Sequence, residues 1–199
     1  MNLHTLIEYL YSFSPVIYDL QLNFFNGNHF EILKKELRNI PHDTVFEIGC
    51  GTAPILKVFK PRNYVGIDIE EKFINLARKL HKENNYKFIS GDGRNVIIKN
   101  NFDIVLFSHT THHLTDLEII DLLQRIKKYN FKHLVIYDGR PTGILSPILT
   151  KLDYGAAKFR DVKDFITLIN KDYKINYTKT FMSNRPFYKY QLLILSKVK

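Results

Sequence analysis

The chain of 199 residues has little of several features that define whole classes of protein. Its single cysteine, Cys50, excludes an internal disulfide and any metal site made of cysteine alone. No apolar run approaches the ~18 residues that a membrane-spanning helix needs. The first residues lack a basic segment followed by a small-residue cleavage site, so they do not predict a signal peptide. These absences favour a cytoplasmic protein without a transmembrane segment.

Acidic residues are scarce in the last quarter of the chain. The whole chain has 29 Lys and Arg against 20 Asp and Glu, a formal net charge of +9. Residues 151–199 contain 11 basic residues, 4 aspartates and no glutamate. Such a balance is compatible with a nucleic-acid or anionic-membrane partner, but scattered lysines also serve simply to solvate a surface. The charge alone does not decide between the two interpretations.

Short runs rich in β-branched and aromatic residues alternate with stretches of helical periodicity through the middle of the chain. The predicted strands are Thr44–Ile48, Tyr64–Ile67, Tyr86–Ile89, Phe102–Phe107 and Phe131–Tyr137. The predicted helices between them are Ala53–Phe59, Glu70–Lys82 and Thr115–Lys127. This alternation is typical of βαβ units, which build a parallel sheet covered by helices on both faces. The sequence therefore predicts an α/β fold.

Both ends of the chain extend this pattern. Apolar spacing predicts helices over residues 2–11 and His29–Leu37 at the start, and over Val162–Ile169 near the end. Two longer runs, Tyr173–Phe181 and Tyr188–Leu195, predict an antiparallel hairpin at the C-terminal edge of the sheet. No repeat, low-complexity tract or linker divides the chain, so we expect a single domain.

The strongest local signal is a glycine turn at the end of the first predicted strand. Gly49 and Gly51 stand between that strand and the next predicted helix, where glycine permits positive φ and a close approach of backbone N–H groups to a ligand. A dinucleotide site would require glycine at the position of Pro54. Glu47, two residues before the turn, suits a cationic ligand better than a pyrophosphate. The pattern therefore favours a positively charged nucleoside cofactor.

In these features the chain resembles the class I, Rossmann-like S-adenosylmethionine-dependent methyltransferases of the small-molecule and quinone type, over residues 44–138. The resemblance implies a Rossmann-like three-layer α/β/α sandwich with a seven-stranded, mainly parallel sheet, an antiparallel C-terminal strand and an N-terminal helical lid. It implies one methyltransferase domain over residues 1–199, with the lid in 1–40, a cofactor-binding core in 42–199 and a pocket insert around 139–160. S-adenosylmethionine would be the cofactor and S-adenosylhomocysteine its product.

The resemblance also implies which residues hold the cofactor. In the family the acid before the turn approaches the methionine ammonium, and here Ala53 replaces the third glycine of the motif. Asp68, 19 residues after Gly49, would accept both ribose hydroxyls, with Ile69 against the adenine. Asp68 could instead cap the helix that starts at Glu70.

A third loop and the fourth strand complete the expected cofactor site. Asp92 resembles the acid that accepts the adenine amino group, with the N–H of Gly93 beside it, although Gly-Asp-Gly also forms plain turns. Ser108 would lie at the carboxyl edge of the sheet, where open α/β sheets bind ligands. The expected cofactor-binding residues are Glu47, Gly49, Cys50, Gly51, Asp68, Ile69, Asp92, Gly93 and Ser108.

Three histidines, His109, His112 and His113, follow the fourth predicted strand. A neutral imidazole can accept a proton or orient a hydroxyl, so we expect these residues to form a catalytic wall of the acceptor pocket. His109 and His113 have the i, i+4 spacing of zinc-binding pairs. The chain has no H-E-x-x-H motif, and Asp116 is the only carboxylate within the cluster, so no metal is expected. At least one of the three could have a purely structural role.

The acceptor pocket is expected to use residues outside the cofactor motifs. The segment Phe13–Asp19 resembles the lids of small-molecule methyltransferases and makes Tyr18 a candidate for substrate binding. Arg140 is a candidate for holding an anionic group of the acceptor, with a solvent-exposed loop position as the alternative. Arg160 is a further candidate for substrate binding in the lining of the pocket. The aromatic residues expected to line the pocket are Tyr154, Phe159, Phe187 and Tyr188.

Methyl transfer to oxygen, carbon or nitrogen of a small-molecule acceptor, by in-line displacement, is therefore the expected activity. Two alternatives stay open at this point. One is an RNA methyltransferase that uses the basic C-terminal quarter to contact nucleic acid. The other is a non-catalytic protein that only binds the cofactor, since a fold does not establish a function. The sequence is compatible with either a monomer or a homodimer.

Overall fold

A seven-stranded sheet with the order β3-β2-β1-β4-β5-β7-β6 forms the centre of the molecule in the computed structural model, which describes residues 24–96, 98, 100–153, 155–169 and 171–198. The strands are β1 (Thr44–Ile48), β2 (Asn63–Asp68), β3 (Tyr86–Ser90), β4 (Asn101–Ser108), β5 (Asn130–Pro141), β6 (Tyr173–Met182) and β7 (Tyr188–Lys197). β1 to β5 are parallel, and β7 runs antiparallel to both of its neighbours. The predicted antiparallel C-terminal strand is confirmed. It lies inside the sheet, however, and β6 forms the edge.

Helices cover both faces of the sheet, as the predicted α/β/α sandwich requires. They are α1 (His29–Leu37), α2 (Glu71–Leu80), α3 (Asp116–Ile126), α4 (Ser146–Leu152) and α5 (Val162–Leu168). One core contains buried residues of α1 and α2, such as Leu33 and Ile74, and the other contains those of α3 and α5, such as Leu122 and Phe165. Successive side chains of a strand point to opposite faces of the sheet, so each strand contributes apolar residues to both cores.

The expected helix over Ala53–Phe59 is wrong: this segment forms a single 3₁₀ turn, Pro54–Lys57. Ala53 has a left-handed backbone with φ +56°, so no helix can extend through it from the glycine turn. Pro61 disfavours a helical backbone at Lys60. The segment between Ala53 and Lys60 is too short for a stable α-helix. The glycine turn therefore leads almost directly into β2.

The segment expected to form a pocket insert is more regular than the sequence suggested. β5 continues through Asp138 to Pro141, and Arg140 lies in this strand in register with Lys189 of β7. The helix α4 follows, with Pro147 in its first turn, where proline is favourable. The expected helix over residues 2–11, Tyr18 and most of the expected lid lie outside the described residues. Among the described helices, none is long and apolar enough to cross a membrane.

The sheet order places a crevice where the cofactor motifs end. The order of the parallel strands reverses between β1 and β4, since β2 and β3 continue on one side and β5 on the other. Ligands of open α/β sheets bind outside the carboxyl ends of the strands at this kind of reversal. The residues that follow β1, β2, β3 and β4 therefore meet at one edge.

Candidate cofactor and acceptor site

A cavity of about 430 Å³ lies at the carboxyl ends of β1 to β4, a volume within the usual range for small-molecule sites. Eight of the residues expected from the sequence line it: Gly49, Gly51, Asp68, Ile69, Asp92, Gly93, His109 and His113. A second cavity, of about 550 Å³, lies beside Arg125 and Tyr129 and contains none of these eight. The first cavity is therefore the candidate site.

The glycine turn forms the floor of the cavity. Gly49 has φ +73°, and a Cβ atom there would lie 2.4 Å from Cγ2 of Thr110. The Thr110 hydroxyl lies 3.1 Å from the carbonyl oxygen of Ile48 and 3.2 Å from that of Gly49, so it ties the turn to the segment after β4. Gly51 has φ +54°, and no described atom lies within 4 Å of the position its Cβ would take. Thr110 is a cavity residue that the sequence analysis missed, because nothing in its spacing marks it.

Asp68 joins the glycine turn to the helix that follows β2. Its Oδ2 accepts a hydrogen bond of 2.7 Å from the N–H of Gly51, and its Oδ1 accepts one of 2.9 Å from the N–H of Glu70. Burial raises the pKa of this carboxyl group, and the two backbone donors oppose that shift. Since each carboxylate oxygen has two lone pairs, these bonds leave acceptor capacity toward the cavity. The structural and the ligand-binding interpretations of Asp68 are therefore compatible.

Three expected cofactor residues lie outside the cavity wall: Glu47, Cys50 and Ser108. The side chain of Glu47 is on the face of the sheet covered by α1 and α2, where its Oε2 accepts a hydrogen bond from the hydroxyl of Tyr64. The Cys50 thiol is buried behind the turn, 3.6 Å from the carbonyl oxygen of Gly51. The position of a residue in the motif thus does not decide whether its side chain reaches the cavity.

Burial of Glu47 predicts a distinctive pH dependence of stability. Burial, the largest cause, raises its pKa from 4.5 to about 8, so the folded protein holds a proton that the unfolded chain has lost above pH 4.5. The contribution of Glu47 to stability therefore falls as the pH rises from 4.5 toward 8. We expect the unfolding free energy of Glu47→Gln to rise relative to that of wild type as the pH increases. The difference between the two proteins should change by roughly 2–4 kcal/mol from about pH 5 to pH 8. Urea denaturation over that range measures it; parallel stability curves would contradict the assignment.

Asp92 and Ile69, the residues expected to contact adenine, both line the cavity. Ile69 is 68% exposed and presents its side chain at the cavity wall, as a residue that stacks on a ligand requires. Asp92 is paired with Arg94, whose Nη2 lies 2.8 Å from its Oδ2. The Arg94 guanidinium holds the pKa of Asp92 below its usual value. Nη1 of Arg94 also lies 2.9 Å from Oε1 of Glu118. This ion pair fixes the loop against the start of α3.

His109 lies where β4 leaves the sheet and has a left-handed backbone, with φ +55°. This conformation is costly for a residue other than glycine and is concentrated at functional sites. Its Nε2 is 3.3 Å from Nδ1 of His29, which is in turn 2.8 Å from the Tyr137 hydroxyl. Burial lowers the pKa of His109 to about 4, so the ring is neutral near pH 7. His29, in α1, is a contact that the sequence analysis missed because it lies 80 residues away.

His112 is not a cavity residue, although His113 is. Its Nδ1 lies 2.6 Å from Oδ1 of Asp138, and its Nε2 lies 3.4 Å from Oδ2 of Asp153. Burial alone would lower the pKa of His112, but the two carboxylates, Asp138 above all, raise it to about 10. For His113, burial lowers the pKa. Asp153, at the end of α4, has no sequence signal that connects it with these histidines.

The structure does not bring Arg160 or Arg140 to the cavity wall. The Arg160 guanidinium is buried, with Nη2 2.6 Å from Oδ1 of Asp116 and Nη1 2.9 Å from the carbonyl oxygen of Thr111. It therefore fixes the 3₁₀ turn Thr111–His113. The expected aromatic lining is dispersed: Phe159 stacks on His112, Phe187 contacts Phe25, Tyr188 contacts Tyr190, and Tyr154 lies outside the described residues.

Comparison with known proteins shows what the part of the chain around this cavity resembles. A sequence family described as a methyltransferase domain matches residues 45–129, which run from β1 to the end of α3. Residues 45–129 are thus similar to this methyltransferase domain. The matched segment includes the glycine turn, Asp68, Asp92 and the three histidines, and so supplies most of the cavity wall.

Solved structures share the fold of this chain. Magnesium protoporphyrin IX methyltransferase from Synechocystis PCC 6803, with bound S-adenosylhomocysteine, is 18% identical with a TM-score of 0.64, covering 86% of this chain and 83% of that one. The N-methyltransferase NodS from Bradyrhizobium japonicum, in complex with S-adenosylhomocysteine, is 16% identical with a TM-score of 0.66 and 86% coverage of both chains. The predicted Rossmann-like fold is therefore confirmed.

A curated relative matches part of the chain more closely in sequence but over a shorter length. The fatty-acid O-methyltransferase of Mycolicibacterium smegmatis is 32% identical over 73 residues. This match covers 34% of the present chain and spans only about a quarter, 27%, of the length of that relative.

Proposed function

We propose that this chain binds S-adenosylmethionine in the 430 Å³ cavity and transfers its methyl group to a small-molecule acceptor. The observation that carries the proposal is the convergence of the glycine turn, Asp68 and Ile69 on one cavity where the strand order reverses. Solved structures of the same fold hold S-adenosylmethionine or S-adenosylhomocysteine, which supports this choice of cofactor.

The walls of the cavity suggest how the cofactor would lie. The two ribose hydroxyls would donate to Asp68, whose carboxylate is already oriented by the N–H groups of Gly51 and Glu70. The adenine would lie against the exposed side chain of Ile69. The methionine part would pass over Gly51, where no described atom occupies the space that a side chain would need.

The opposite end of the cavity is where the acceptor would bind, beside His109 and His113. Methyl transfer from a sulfonium is an in-line displacement: a bond forms from the acceptor atom to the methyl carbon while the S–CH₃ bond breaks. The protein therefore mainly aligns the reactants and excludes water. Where the acceptor atom carries a proton, His109 is the base in this proposal. If Nε2–H of His109 donates to His29, its Nδ1 is free to accept that proton.

A small-molecule acceptor is favoured over RNA by the relatives. These relatives include a fatty-acid O-methyltransferase and a magnesium protoporphyrin IX methyltransferase. The volume of the cavity also suits a cofactor together with part of a small acceptor.

Calorimetric titration tests the cofactor assignment. We expect wild-type protein to bind S-adenosylhomocysteine and not NAD⁺, and Asp68→Ala to weaken that binding by at least about tenfold, since a hydrogen bond to a charged group contributes ~1.5–3 kcal/mol. Asp68→Asn keeps one carbonyl acceptor and separates loss of charge from loss of the side chain. Asp121→Asn, on the exposed face of α3, is the control and should bind like wild type. Binding of NAD⁺ alone would refute the proposal.

The two glycines of the turn provide a matched pair of variants. A methyl group at Gly51 would enter the cavity without meeting any described atom, so Gly51→Ala should fold with a loss of about 1–2 kcal/mol for the left-handed backbone. We expect it to weaken S-adenosylhomocysteine binding at least about tenfold, because the methyl group takes space needed by the ligand. Gly49→Ala should lose more stability, because its Cβ would overlap Thr110. Equal affinity of Gly51→Ala and wild type would exclude this pose.

A further inference from the structure

A cluster of potential metal ligands lies at the acceptor end of the cavity. The ring nitrogens of His112 and His113 and a carboxylate oxygen of Asp153 all lie within 4.8 Å of one another. His113 and Asp153 line the cavity itself, and His112 lies directly behind them. We propose that these three side chains bind a divalent transition-metal ion, with Zn²⁺ as the preferred ion.

The donor atoms suit this class of ion. Two imidazole nitrogens and one carboxylate oxygen favour Zn²⁺, Co²⁺ or Fe²⁺ over Mg²⁺ and Ca²⁺, which prefer oxygen ligands alone. Two ligand atoms at ~2.1 Å from one ion, at a tetrahedral angle, lie ~3.4 Å apart. The distance between Nε2 of His112 and Oδ2 of Asp153 is 3.4 Å. Little movement of this pair is therefore needed to receive an ion.

Asp138 binds the ring nitrogen of His112 that would not face the ion. A metal-binding histidine usually has such a carboxylate or carbonyl partner. Nδ1 of His112 is 2.6 Å from Oδ1 of Asp138, so Nδ1–H donates to the carboxylate and Nε2 is left to face the ion. Asp138 also accepts hydrogen bonds from the backbone N–H groups of His112 and Gly139, at 3.0 and 2.9 Å. This support fixes both the ring orientation and the tautomer.

The backbone that presents the ligands is equally fixed. The carbonyl oxygen of His112 accepts hydrogen bonds from the N–H groups of Ala157 and Lys158, at 2.7 and 3.0 Å. Arg160 holds the neighbouring carbonyl oxygen of Thr111 from the other side. These bonds join the 3₁₀ turn Thr111–His113 to the segment just after Asp153. The two histidines and Asp153 are thus held close together before any ion binds.

The spacing of His109 and His113 suggested a different pair of metal ligands, and no metal was expected from it. Asp116, the carboxylate closest to the histidines in sequence, is paired with Lys158 and Arg160 in the structure. Asp153 follows His113 by 40 residues and is brought back by the α4 segment. Three protein ligands leave coordination positions open, as in catalytic zinc sites. Because two of the ligands line the cavity, an open position would face an oxygen of the acceptor, a point that rests on the proposed function.

The competing interpretation is that a proton occupies the place of the ion. His112 would then be an imidazolium between the carboxylates of Asp138 and Asp153, with a structural role alone. Metal titration of untagged, chelator-treated protein distinguishes the two. We expect one Zn²⁺ per chain by calorimetry, visible ligand-field absorption on adding Co²⁺, and no response to Mg²⁺.

Variants of the two cavity-lining ligands make the test specific. We expect His113→Gln and Asp153→Asn each to lower Zn²⁺ affinity by at least about tenfold, while the controls His42→Gln and Asp121→Asn bind like wild type. Absence of stoichiometric Zn²⁺ binding to wild type would overturn the inference, as would equal affinity of the ligand variants and wild type.

A parallel titration with S-adenosylhomocysteine separates this inference from the proposed function. If the chelator-treated protein binds S-adenosylhomocysteine but no Zn²⁺, the metal site fails and the cofactor assignment stands. If it binds Zn²⁺ but no S-adenosylhomocysteine, the metal site stands and the methyltransferase proposal fails.

Discussion

Replacing His109 by asparagine is expected to lower the turnover number of methyl transfer by ~10²–10⁴-fold, the usual contribution of a general base. His109 lines the cavity, and burial keeps its ring neutral near pH 7 with a pKa of about 4. Asparagine is suited to the left-handed backbone at this position but cannot take up a proton. The loss should therefore reflect proton transfer rather than a change in the fold.

Three measurements separate a base from a residue that only shapes the pocket. Affinity for S-adenosylhomocysteine should be unchanged in His109→Asn, and the loss should fall on the turnover number rather than on KM. The control His42→Asn, before β1 at the opposite edge of the sheet, should keep full activity. Because protonation of His109 is expected only as the pH falls toward 4, its contribution should be constant between about pH 6 and pH 8. Turnover of His109→Asn within about threefold of wild type would remove its assignment as a base.

Replacing Asp138 by asparagine should cost about 3–5 kcal/mol in unfolding free energy, because it removes one partner of a buried, hydrogen-bonded charge pair. Asp138 is 4% exposed, and its carboxylate accepts hydrogen bonds from the Thr111 hydroxyl, the His112 ring and two backbone N–H groups. The side-chain amide of asparagine has only one acceptor oxygen, and its NH₂ group would face some of these donors without accepting their hydrogen bonds.

Urea denaturation at pH 7, with a chelator present, measures this effect free of any bound metal. The matched control is Asp121→Asn, since Asp121 forms an exposed i, i+4 pair with Arg125 on α3. Such a pair contributes only about 0.3–0.5 kcal/mol. If Asp138→Asn lost no more stability than the control, the His112–Asp138 pair would not be part of the structural support of the site.

The fold was predictable from the sequence because its signals are local. Each strand of the parallel sheet is a short apolar run, and α3 begins with a capping box in which Thr115 and Glu118 exchange hydrogen bonds. The glycine turn and the acid at the end of β2 also follow from spacing along the chain. The helix expected after the turn failed because Ala53 adopts a left-handed backbone, which its residue type does not indicate.

The acceptor end of the site was not predictable, because distant segments assemble it. His29 comes from α1 and Asp153 from the end of α4, and neither belongs to a motif. Arg160 was expected to bind the substrate, but the backbone carbonyl oxygens of the histidine turn and Asp116 accept the hydrogen bonds of its guanidinium. Only the three-dimensional arrangement shows which charged side chains are already paired.

A crystal structure of the protein with S-adenosylhomocysteine would show whether this cavity holds the methyl donor. We expect ligand density in the cavity at the ends of β1 to β4, with the ribose hydroxyls on Asp68, the adenine against Ile69 and the homocysteine over Gly51. Its sulfur should point toward the end of the cavity that holds His109. Density for the ligand in another place, or its ribose away from Asp68, would contradict the assignment of this cavity as the methyl-donor site.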